Sequence, residues 1–244
     1  MLEALDLSSV ELVLCALAAA GGALVQGTIG FGYALVVVPT LLLFAPSTVP
    51  VTPLAVATPM VFVQAVAERR ALDVGGFARM TAGRVPGTVL GAWVLTVAGA
   101  SAIAGAAGAL LLLAVGASVA RGARSVSPRL EVLAGFASGL AGTVGAVGGP
   151  YLALAYADRP GPELRATISL AFAVGVVLSL GAVALAGQVE RAALVLAAVL
   201  VPATFGGLWI GRRLAGRLEG GWLRPAVLGF AAAAGALAVV RSVT

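Results

Sequence analysis

Gln26-Gly27-Thr28-Ile29-Gly30-Phe31-Gly32 and Gly142-Thr143-Val144-Gly145-Ala146-Val147-Gly148-Gly149-Pro150 are two glycine-rich phrases, each set in a long apolar stretch. No charged residue and no histidine lies between Glu11 and Glu68, or between Glu131 and Asp158. A soluble chain has no use for such stretches, because nothing in them faces water. A lipid-embedded helix broken by glycines must re-satisfy its backbone inside protein or against a water-filled cavity. Two breaks in corresponding places point to a transporter's binding site.

Composition agrees with a polytopic membrane protein. Of 244 residues, 61% are hydrophobic and 10% charged, too little charge to cover a soluble surface. The formal net charge is +5 and every positive residue is Arg. The arginines cluster in short loops between apolar segments, which favours membrane orientation over nucleic-acid binding. The single cysteine, Cys15, cannot form an internal disulfide and reads as a small core hydrophobe. The N-terminus carries Glu3, Asp6 and Glu11 and no positive residue, so a cleaved secretory signal is not expected.

Apolar segments run over 7–25, 33–45, 54–67, 85–100, 101–119, 130–147, 150–157, 166–187, 193–211 and 223–240. Crossing a bilayer takes about 20 helical residues. The segments 33–45 and 150–157 are too short, and each follows a glycine break. Each break therefore reads as the tip of a helical hairpin, with one half-helix entering and another leaving. Pro150 suits the start of an outgoing helix.

The chain also repeats itself. Gly27-Thr28-Ile29-Gly30 matches Gly142-Thr143-Val144-Gly145 at an offset of 115. The phrase from Val85-Pro86 to Trp93 matches that from Val201-Pro202 to Trp209 at an offset of 116. The expected fold is all-α, with residues 1–120 and 121–244 as two five-segment repeats forming one membrane domain. An odd number of segments per half predicts inverted repeats. Arg69, Arg70, Arg79 and Arg84 follow the third segment of the first half, and Arg212, Arg213, Arg217 and Arg224 follow the fourth of the second. Both groups, with Arg121, Arg124 and Arg129, are cytoplasmic together only if the halves are inverted. Both termini then face outward, although Arg241 runs against this.

The phrase Gln26 to Tyr33, running on to Pro39, resembles the first-half motif of the sulfite exporter TauE/SafE family of membrane permeases. Gly139-Leu140-Ala141-Gly142, Gly148-Gly149-Pro150-Tyr151-Leu152 and Tyr156 resemble its second-half motif, and segment order and duplication agree over nearly the whole chain. Glycine is sparser here, with Tyr33 and Val147 at family glycine positions. The resemblance implies a secondary transporter of small sulfur-containing or organic anions, such as sulfite or sulfonates. It places the protein in the cell (inner) membrane of a bacterium. A passive anion channel of the same fold is the alternative.

In this reading the outgoing half-helices start near Tyr33 and Pro150 and point their N-termini at each other near the midplane. Each N-terminus presents unpaired N–H groups and about half a positive charge, which makes an anion site without a cationic side chain. An intramembrane Arg would cost about 2.5–3.5 kcal/mol on insertion scales and retain the anion too well. The expected binding residues are Gln26, Gly27, Thr28, Gly30, Phe31, Gly32 and Tyr33, with Gly142, Thr143, Gly145, Gly148, Gly149, Pro150 and Tyr151. Thr28 and Thr143 either donate to the ligand or satisfy helix carbonyls. Gly105, Gly108, Gly175 and Gly181 read as packing glycines. Pro86 and Pro202 either kink their helices or start them, and Trp93 and Trp209 either wall the cavity or anchor at the interface. Glu11, Glu68 and Glu131 read as solvated end charges. No catalytic residue, metal ligand or cofactor is expected. The partners are a small anion and the lipid bilayer, with no nucleic acid and with a homodimer left open.

Overall fold

The computed structural model describes residues 7–119, 127–156, 159–214 and 223–243. Arg121, Arg124, Ser125, Asp158, Arg217, Leu218 and Trp222 lie outside these. Ten α-helices follow in order: α1 Ser9–Ile29, α2 Tyr33–Phe44, α3 Val51–Glu68, α4 Val74–Val97, α5 Ala100–Val119, α6 Pro128–Gly145, α7 Gly149–Ala155, α8 Gly161–Leu185, α9 Arg191–Leu214 and α10 Leu223–Val243. No strand occurs among the described residues. Five spans, carried by α1, α3, α5, α8 and α9, are long and apolar enough to cross a membrane.

Each helix covers one of the ten apolar segments, and both glycine phrases interrupt the helical run. Gly30 and Gly32 take positive φ values of 92° and 118°, and α2 starts at Tyr33. In the second phrase a non-glycine, Ala146, takes the left-handed position with φ 56°, and α7 starts at Gly149. Two expectations need correcting. The arm entering the first break is no half-helix: α1 has 21 residues and, at 1.5 Å per residue, is about 32 Å long, enough to cross the hydrocarbon core. The fourth segment starts at Val74, not residue 85, so Arg79, Arg84 and Pro86 all lie within α4. Pro86 and Pro202 are thus interior prolines, not helix starts.

Helix α4 begins early because Asp73 caps it. Its Oδ1 accepts the Gly76 N–H at 3.0 Å, as an N-cap carboxylate does. Its Oδ2 accepts the Tyr156 hydroxyl at 2.6 Å, tying α4 to the end of α7. These two donors hold the Asp73 carboxyl below its ordinary range.

Helices pair across the two halves. α1 lies along α9 and α4 along α6, while α3 meets α8 and α5 meets α10. First goes with fourth, third with third and fifth with fifth, a pattern unchanged when the halves are exchanged. Thr52 and Thr167, 115 positions apart, repeat the exchange in detail. Thr52 Oγ1 donates to the Ala193 carbonyl near the start of α9 at 2.8 Å, and Thr167 Oγ1 accepts the Asp73 N–H at the start of α4 at 3.1 Å.

The two closest pairings are backbone to backbone. A Cβ at Gly83 or Gly87 of α4 would collide with the carbonyl oxygen of Val132 or Phe136, and one at Gly135 or Gly139 of α6 with that of Met80 or Arg84. On the other side, a Cβ at Gly207 or Gly211 of α9 would strike the carbonyl oxygen of Ala20 or Leu24. Small residues permit this approach, and dispersion and polar contacts hold it in lipid. Gly108 also packs as expected, against Gly235, whereas Gly181 has open space around its Cβ position.

Gly87→Ala should destabilise the protein by about 1–3 kcal/mol, as overpacking does. Gly116→Ala, with nothing within 4 Å, should be neutral or slightly stabilising; thermal unfolding in detergent compares them. A second outcome concerns acid. Because the Asp73 carboxyl is lowered in the fold, its contribution is present above the unfolded value of about 4 and lost as pH falls through the folded value. The stability gap between wild type and Asp73→Ala should therefore close as pH drops below about 4.

Candidate anion site

Between the two breaks lies a cavity of about 60 Å³. Its lining includes Gln26, Gly32, Tyr33, Gly142, Gly148, Gly149 and Pro150 from the two phrases. The walls are completed by Ala34 and Leu35 of α2, by Pro53, Ala57, Met60 and Val61 of α3, by Ala146, and by Phe172 and Val176 of α8. Five lining pairs stand 115 positions apart: Tyr33 and Gly148, Ala34 and Gly149, Leu35 and Pro150, Ala57 and Phe172, Val61 and Val176. Both halves therefore contribute matching positions to one cavity.

One lining residue was read from sequence as part of a loop. Arg84, midway along α4, is 4% exposed and faces the cavity. Its Nη1 donates to Ser138 Oγ at 2.7 Å, and its Nε has no hydrogen-bond partner. The ion pairs among the described residues join Arg79 to Glu131, Arg159 to Glu163 and Arg165 to Glu68, so none neutralises Arg84. A buried charge normally has a partner, because desolvation costs several kcal/mol per ion even after relaxation. Room for the guanidinium comes from glycines. A Cβ at Gly142 would lie 3.0 Å from Nη2, and one at Gly175 would collide with the guanidinium itself. Gly175 is thus a space-maker for Arg84 rather than a helix-packing glycine.

This overturns the expectation of a site without a cationic side chain. The helix N-termini are also less available than expected. The first N–H of α2, at Tyr33, donates to Gln26 Oε1 at 3.2 Å. Helix α7 has only seven residues, too few to build a full macrodipole.

The remaining expected site residues lie elsewhere. Thr28 Oγ1 donates to the Val25 carbonyl of its own helix at 2.8 Å, and Thr143 Oγ1 shares a hydrogen bond with Ser179 Oγ at 3.0 Å. Gly27 packs on Leu208 and Arg212 of α9, and Gly145 on Ala107 of α5. Gly30 faces the Arg165 side chain, Phe31 joins a second apolar cluster with Met80 and Tyr156, and Tyr151 donates to the Leu110 carbonyl at 2.8 Å. Trp93 and Trp209 are more than half exposed on the outer surface and wall no cavity. Trp209 lies under the Arg213 guanidinium, 3.6 Å from its ring centroid, as an interface anchor does. Glu131, expected to be solvated, is 1% exposed and paired with Arg79.

The repeat itself carried a signal for Arg84. Shifting by 116 aligns it with Leu200, which lies deep within α9. That register places Arg84 inside a helix and not in a loop, as α4 shows.

Ten helices among the described residues, five of them long and apolar enough to cross a membrane, and a buried arginine facing a cavity among glycines mark a polytopic membrane protein. The sequence profile of the sulfite exporter TauE/SafE family matches residues 14–238, and the chain belongs to that family. No curated protein and no solved structure matches it.

Arg84→Gln should abolish equilibrium anion binding by calorimetry. Arg84→Leu should do the same while raising the unfolding temperature, because an uncompensated buried charge is removed. Thr143→Val should lower stability by about 1 kcal/mol through the lost Ser179 bond and leave anion affinity within twofold.

Proposed function

We propose that the protein is a secondary transporter that moves a small anion, such as sulfite, a sulfonate or another organic anion, across the cell (inner) membrane of a bacterium. The observation that carries this reading is Arg84, a buried guanidinium without a carboxylate in a cavity between two broken helices. Arg84 supplies the charge. Gly142 and Gly148 leave the anion room beside the backbone, and Gln26 lines the cavity with its amide held by the Tyr33 N–H and Gln64. One cation set against apolar walls retains an anion less firmly than a pair would, which suits release.

The exchange of helix partners and the paired lining positions support a two-fold relation between residues 1–120 and 121–244. Five segments per half and the arginine distribution support inversion. On this reading the arginine-rich loops are cytoplasmic and both termini face outward. A second cavity of about 430 Å³, lined by Ser47, Ala100, Ser101, Gln188 and Glu190 among others, is then the external vestibule.

Purified protein in liposomes should give saturable anion uptake with counterflow, lost in Arg84→Gln. Flux that never saturates and shows no counterflow would make the protein a channel. Reporter fusions at Asp73, Ser125 and Leu218 should read cytoplasmic, and those at Ser47, Ala100 and Gln188 external. Placement of Leu218 and Ala100 on one side would show parallel halves and remove the inversion.

A further inference from the structure

The duplication supplies an internal control for the cavity, because each half shows what the other carries at the same place. Arg84 corresponds to Leu200 at an offset of 116, and Ser138 and Gly175 correspond to Ala23 and Met60 at 115. In the second half, Ser138 and Gly175 seat the guanidinium of Arg84. At the matching place, where the halves exchange roles, the same three positions are Leu200, Ala23 and Met60, all at most 1% exposed and all in one apolar core. Leucine is shorter than arginine, and methionine fills the volume that glycine leaves open. The wall of the cavity around Met60 is completed by Leu35, Ala57 and Val61. The polar side chains on that side are both neutral: Gln26 is already engaged, its Oε1 accepting from the Tyr33 N–H and its Nε2 donating to Gln64 Oε1 at 3.1 Å, and Tyr33 offers only a buried hydroxyl.

We propose that this site is polarised and selects a small monoanion with a short apolar body, lying one way round, its anionic group at Arg84 and its body against Met60 and Val61. The inference rests on the anion site at Arg84 and adds the ligand class and the residues that read it. A symmetric inorganic dianion is a poor match. It would meet one cation on one side and apolar surface on the other, where its second charge would be desolvated without a partner. An apolar body gains from the same surface. The cavity of about 60 Å³ has room for roughly four to six water-sized groups at about 10–15 Å³ each, and a sulfonate's sulfur and three oxygens take about four of them. That limits the body to about one or two carbons beyond the acidic group.

Calorimetric titration of the purified protein with sulfate, sulfite, methanesulfonate, ethanesulfonate and butanesulfonate tests this, with acetate and propionate as carboxylate counterparts. Ethanesulfonate should bind about fourfold tighter than methanesulfonate, the worth of one buried methylene, and at least tenfold tighter than sulfate or sulfite. Butanesulfonate should bind more weakly than ethanesulfonate because it overfills the cavity. The gain from acetate to propionate should match that between the two sulfonates if the body is what is read. In Met60→Gln, and independently in Val61→Thr, the step from methanesulfonate to ethanesulfonate should fall to twofold or less. Equal or tighter binding of sulfate or sulfite, or an unchanged step in both variants, overturns the polarised site. Those results would leave the anion site standing as long as Arg84→Gln still removes binding. Anion binding that ignores Arg84→Gln would overturn the site and the inference together.

Discussion

A buried guanidinium with no carboxylate partner among the described residues organises this protein. The Arg84 guanidinium is held at the meeting point of α4, α6 and α8 by one hydroxyl, with glycines at positions 142 and 175 giving it room. Leu200, at the matching place, packs in an apolar core and carries no such charge. The charge is therefore a standing cost to the fold, and the proposed anion site rests on that cost.

Much of the fold was legible because hydropathy and glycine act over short range. Each apolar run became a helix, and the phrases at Gly30–Gly32 and Gly145–Gly149 became breaks, with left-handed backbone at Gly30 and Gly32, where glycine adopts it freely, and at Ala146 in the second. The start of α4 was not legible. Residues 74–84 carry two arginines and three glycines, a composition that reads as a loop. Gly83 has α6 lying on it, Gly76 has the Tyr156 hydroxyl against it, and Arg84 faces a cavity; these reasons belong to tertiary structure. Arg79 found its partner in Glu131, fifty-two residues away, so neither side chain is the free surface charge that its sequence neighbours suggested.

The glycines of the two phrases serve two purposes that sequence spacing does not separate. Gly142 and Gly148 line the cavity, while Gly27 and Gly145, equally embedded in the motif, hold helices close. The threonines divide in the same spirit. Thr28 and Thr143 are repeat-equivalent, yet one back-bonds its own helix and the other reaches Ser179 of α8. The two phrases break the helix with different backbones, left-handed at Gly30 and Gly32 in one and at Ala146 in the other, and their chemistry differs as well. Arginine at position 84 and leucine at position 200 differ in the same way.

The glycine-to-carbonyl contacts of α4 with α6, and of α9 with α1, carry a consequence for motion. Where main chain rests on main chain, no side-chain rotation can absorb a shift, so each pair travels as one stiff body. Each such body contains a helix from either half of the sequence. Any rearrangement that opens the cavity must therefore run along seams between these mixed pairs and not along the duplication boundary at residue 120. A search for the moving joint by cutting the chain between its repeats would look in the wrong place.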